Sequence, residues 1–185
     1  MNWRHILATI ALFSPGAGTA AEIDDFFGKW RGVELSIDSS EKLPDLTPAD
    51  LDMAIVDQDG GFQIDGLGLA READGSIAPR RFDAAFAETG TPGVFAFEPG
   101  GGSLLSSLFA DPAEGNPLEG DTLLWARLAE DALHVYSLAI DEQGGFVLEH
   151  STGRLTPNGM EMRYLLRLEN ERIVTMEGHL ERAGD

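Results

Sequence analysis

The sequence predicts an all-β protein, an antiparallel up-and-down meander closed into a barrel of roughly 8–10 strands. Three observations lead there. Short β-branched and aromatic segments recur at even spacing from Trp30 to Arg182. Tight-turn residues separate them, as in Asp59-Gly60-Gly61 and Pro157-Asn158-Gly159, which supply the positive φ that short hairpin turns need. No long segment carries a helical repeat of apolar residues.

Met1–His5 carries Arg4, and Ile6–Phe13 is a short apolar run. Ser14-Pro15-Gly16 breaks that run before small residues at Ala17–Ala21. This order marks residues 1–21 as a secretory signal peptide, leaving residues 22–185 as one domain. The run is far shorter than the roughly 20 residues that span a bilayer. A domain of this size can bury enough surface to fold without staples. The expected location is therefore outside the cytoplasm, periplasmic or secreted.

Cysteine is absent, which excludes thiol catalysis, cysteine-ligated zinc and iron–sulfur clusters. The formal net charge is −19, and such a chain repels phosphate backbones and anionic lipid. Neither nucleic acid nor stable membrane insertion is expected.

Taken in order, strands are expected over Trp30–Ile37, Leu51–Asp57, Phe62–Ala70, Ser76–Phe86, Gly93–Phe97, Thr122–Leu128, Ala132–Ile140, Phe146–Leu155, Met160–Glu169 and Arg172–Arg182. The exception is the connection over residues 98–121. Leu104, Leu105, Leu108 and Phe109 cluster there at the spacing of a short helix. Long connections in small domains are commonly functional, so this group is expected to form a lid or to meet a protein partner.

Alternation fixes the faces of the last strands. Met160, Met162, Tyr164, Leu166 and Leu168 share one face, and Val174, Met176, Gly178 and Leu180 another, both expected inward. By the same rule His134, Tyr136, Leu138 and Ile140 are read as inward, as are Phe146, Leu148 and His150. The opposite face of the 132–140 strand is apolar too. The expected ligand-lining residues are Phe62, His134, Tyr136, Leu138, His150, Met162, Tyr164 and Met176. A largely apolar interior with a few polar groups suits a small apolar ligand.

Catalytic and metal patterns are lacking. There is no Gly-x-Ser-x-Gly, and Asp57 and Asp59 lack the glycine and glutamate that complete a calcium loop. His134 and His150 could meet across strands, but two imidazoles without a third ligand make a poor zinc site. A single inward histidine could hold a haem, yet no cofactor, metal site or enzymatic activity is expected. Glu34 is the carboxylate to watch, because a bulge at Gly32 would change its face.

Gly28-Lys29-Trp30 at the head of a meander resembles the calycin group, which includes lipocalins and fatty-acid-binding proteins. The resemblance implies that Trp30 closes the barrel floor and that Arg182, at the end of the last strand, stacks on it. It also implies a non-catalytic carrier or sensor with its ligand inside the barrel. The alternative is a ligand-free module for envelope assembly or inhibition.

Overall fold

Turn chemistry sets the path of the chain. Asp59-Gly60 reverses it with Gly60 at φ 78°, and Glu130-Asp131 does so with both residues left-handed, at φ 53° and 59°. Short reversals of this kind join neighbouring antiparallel strands. The computed structural model describes residues 21–40, 42, 43, 45–71, 76–98, 116–140, 144–169 and 171–184. In chain order the strands are β1 (Gly28–Ser39), β2 (Met53–Gln58), β3 (Gly61–Arg71), β4 (Ile77–Glu88) and β5 (Val94–Phe97). They continue with β6 (Leu123–Ala129), β7 (Ala132–Ile140), β8 (Phe146–Thr156), β9 (Gly159–Leu168) and β10 (Glu171–Arg182). Each pairs antiparallel with its sequence neighbours, and β10 returns to β1, closing a ten-stranded barrel. All the expected strands are present. The architecture is compatible with the calycin-like resemblance.

The phase of β1 turns on a bulge. Its register against β10 shifts between Gly32 and Glu34. Trp30 and Gly32 are buried ahead of the bulge, and Leu35 and Ile37 pack inward beyond it. Val33 and Glu34 are left on the outer wall.

One end of the barrel is plugged by aromatic side chains. Trp30 is 3% exposed, and its indole Nε1 donates to the Phe26 carbonyl at 2.9 Å. Arg182 lies directly opposite in the β1–β10 register, with its guanidinium carbon 4.5 Å from the Trp30 ring centre. The same guanidinium donates to the carbonyls of Asp25 and Phe27. It therefore ties the entering chain to the end of the last strand, and cation–π attraction adds to those bonds. Phe62, Phe86 and Phe95 pack behind Trp30, with Phe62 stacked on Phe86 at 5.1 Å and edge-on to Phe95 at 4.9 Å.

The seam between β1 and β2 is short. Only Gly28–Trp30 pairs with Met53–Ile55, and a 3-10 turn at Pro48–Leu51 fills the gap beyond. Leu51 is fully buried there and demands glycine on both flanking strands. A Cβ on Gly32 would sit 1.9 Å from the Pro48 carbonyl oxygen, and one on Gly178 would sit 2.4 Å from Leu51 Cδ1.

The distal half of the β3–β4 hairpin extends past its neighbours. β2 pairs with β3 only as far as Asp65, and β5 pairs with β4 only over Phe86–Glu88. The hairpin turns Leu69 and Ile77 against Tyr164, Leu166, Val174 and Met176, forming a second apolar cluster that shares Leu35 and Leu67 with the plugged end.

Replacing Trp30 with alanine should destabilise the fold by about 3–5 kcal/mol, the usual range for a large buried aromatic. An unchanged denaturation midpoint would show that Trp30 is no floor plug. Gly32→Ala should cost about 1–3 kcal/mol through overpacking against Pro48, read as a shifted midpoint at unchanged denaturant slope.

Candidate functional site

The strand registers decide which side chains see the interior. Residues directly opposite on antiparallel strands point to the same face. Leu168, Leu166, Tyr164 and Met162 of β9 face inward, and they pair with Val147, Glu149, Ser151 and Gly153 of β8. Those β8 residues pair in turn with Ala139, Ser137, Val135 and Leu133 of β7. The odd-numbered residues of β7 and β8 therefore line the barrel.

This corrects the expected lining. His134, Tyr136, Leu138 and His150 lie on the outer wall, as do Leu148 and Phe146. Both faces of β7 are apolar, so alternation alone leaves its phase open, and pairing with β9 resolves it. Phe62 and Met176 do face inward, but they are fully buried in the packed clusters. Met162 and Tyr164 also face inward, Met162 partly exposed and Tyr164 buried. Glu34 is exposed on the outside. Leu104, Leu105, Leu108 and Phe109 lie outside the described residues.

Tyr164, a member of the second apolar cluster, forms a polar pair with Glu149, which periodicity did not single out. The Tyr164 hydroxyl donates to Glu149 Oε2 at 2.7 Å and accepts the backbone N–H of Leu69 at 3.3 Å. That N–H belongs to the stretch of β3 beyond β2, so Tyr164 satisfies a strand edge that lacks a partner strand. Among the described residues no other group bonds the Glu149 carboxyl. Leu166 lies opposite it on β9, and the other neighbours are small. Ser137 is its partner on β7, Ser151 follows on its own strand, and a Cβ on Gly68 would lie 3.8 Å from Oε2.

Glu149 keeps some accessible surface, yet protein surrounds it deeply enough to raise its pKa to about 7. Burial is the larger cause, and the Tyr164 hydrogen bond works weakly against it. Tyr164 is pushed well above the ordinary tyrosine range by burial and by the neighbouring carboxylate. Burial of this kind disfavours the charged form of the carboxyl. The sequence signal was a lone acid in mid-strand, far from any turn.

The outer wall carries a second cluster. Trp125, Tyr136 and His150 stand side by side across β6, β7 and β8. Their rings are parallel within 10°, with centroids 4.9 Å and 4.3 Å apart. His134 Nδ1 lies 3.1 Å from His150 Nε2, and Thr152 Oγ1 lies within 3.3 Å of both nitrogens. Burial, then His134 and Arg163, lower the pKa of His150. Beside this cluster runs a surface groove of about 650 Å³ lined by His150, Arg154, Glu161, Arg163 and Glu177. Met162 and Leu165 line it as well, so charged and apolar side chains share it. Among the described residues no three His, Cys, Asp or Glu side chains converge as for a metal ion, and no helix is long and apolar enough to cross a membrane.

Comparison with protein-family models, with curated proteins and with solved structures gave no match.

The linkage between Glu149 and folding has a definite sign. Its folded pKa lies above the unfolded value of 4.5, so its favourable contribution is complete below pH 4.5 and is lost as pH rises through about 7. Glu149→Gln should therefore raise stability at pH 8 by at most on the order of 3 kcal/mol and change little at pH 4.5. Melting curves of both proteins at the two pH values test this. An equal difference at both would show that Glu149 is not held neutral by burial.

Proposed function

We propose that this protein is an exported, non-catalytic carrier or sensor, calycin-like in design, that holds a small and largely apolar molecule inside its barrel. The observation that supports it most is the placement of Glu149, bonded to the inward Tyr164, beside the small inward residues Ser137, Ser151 and Gly68. A barrel meant only to be filled would carry large apolar side chains at Ser137, Ser151 and Gly68. A few polar groups in an apolar enclosure are what orient a small ligand. The leader-like start of the chain supports export, with residues 22–185 as the mature domain. No nucleotide or cofactor chemistry enters this reading.

A blocking substitution tests it. Ser151→Phe should abolish binding of a neutral environment-sensitive hydrophobic dye by filling the interior, while Tyr136→Ala on the outer wall should leave binding intact. Dye fluorescence titrated against each folded variant reads the outcome. Undiminished binding in Ser151→Phe would exclude the barrel interior as the site.

A second reading, an interaction module, is favoured by the outer wall of β6–β8. Leu123, Leu138 and Leu148 align across the strands beside the Trp125–Tyr136–His150 row, with Leu123 37% and Phe146 36% exposed. In that case Tyr136→Ala, rather than Ser151→Phe, would remove the biological activity.

A further inference from the structure

We infer that the molecule held inside the barrel carries a protonated amine, with the unbonded oxygen of Glu149 as its partner. This rests on the interior-binding reading and adds the chemistry of the head group.

Hydrogen-bond capacity points to that oxygen. An ionised carboxylate is an acceptor only, with room for several donors. Glu149 has one, the Tyr164 hydroxyl at 2.7 Å. Tyr164 is already satisfied, because its proton goes to Glu149 and it accepts the Leu69 N–H. Ser137 and Ser151 flank Glu149 on β7 and β8, and neither bonds it. The oxygen left to take a further donor is thus Oε1, which no described protein group bonds and which is not among the fully buried unpaired atoms.

Charge selects among possible donors. None of the described ion pairs includes Glu149, and Arg80, opposite Gly68 on the same face, makes an interaction of its own. An alkyl carboxylate would bring a second negative charge beside the first and is disfavoured. A neutral alcohol could donate a hydrogen bond but would leave the buried charge uncompensated. A protonated amine does both, through a charge-assisted bond that is stronger than a neutral one. The chain's net charge of −19 also draws cations towards the protein. Met162, Val135 and Leu124, inward and partly buried, supply apolar wall for the rest of the molecule.

The experiment is displacement of the interior dye from the full chain by octylamine, octanol and octanoate at pH 7.5 in physiological salt. Octylamine should bind roughly tenfold tighter than octanol, as expected of one charge-assisted bond, with octanoate weakest. In Glu149→Gln, with its fold checked by circular dichroism, the amine and the alcohol should come within about twofold of each other. Octanol equal to octylamine on the native chain would overturn the amine assignment while leaving interior binding in place. Failure of the dye itself to bind would overturn both. Direct calorimetry of octylamine on Ser151→Phe covers surface attraction, because amine binding that survives the blocked interior would also overturn the assignment.

Discussion

Closure of the barrel between its first and last strands is the constraint on which the rest depends. An open ten-stranded sheet would leave two edges bare, and their unpaired backbone groups invite other chains. Here β1 and β10 meet over most of their length, and the junction is reinforced where Arg182 lies over Trp30. That contact joins a cation, an aromatic face and two backbone carbonyls of the entering chain. Once this end is tied, the bulge in β1 and the Leu51 plug seal the weaker β1–β2 seam. The remaining strands follow as a meander whose inner faces are set by register.

The same closure divides the interior. Phe26, Phe62, Phe86 and Phe95 fill the tied end with close aromatic packing. At the other side, the extended β3–β4 hairpin turns its apolar residues onto β9 and β10. Tyr164 belongs to that second region, and its partner Glu149 stands beside the small residues Ser137, Ser151 and Gly68. The Leu69 N–H donates to the Tyr164 hydroxyl, which donates in turn to Glu149. A strand edge, a phenol and a carboxyl form one short chain of donors and acceptors.

Strand positions and the turn sequence were legible because Gly, Asn and Asp at reversals and β-branched residues between them obey local rules. Trp30, Arg182 and the phase of β9 and β10 were legible for the same reason, since one face of each strand is clearly more apolar. The failure at β7 and β8 was equally physical. Leu133, Val135 and Ala139 on one face of β7 are about as apolar as Tyr136, Leu138 and Ile140 on the other. Only pairing with distant β9 decides between them, and period-two reasoning within a strand cannot see that partner. Glu149 was hidden by the same ambiguity. An acid opposite an apolar row is ordinarily read as facing water, and here it faces the centre while the histidines face out.

The pairing of β1 with β10 also sets when the protein can fold. The strand that completes the first one is the last to be made, and the Trp30 contact waits on Arg182. Contacts between chain ends carry a large loop-closure entropy and slow folding. The barrel of such a chain cannot close until β10 has been made.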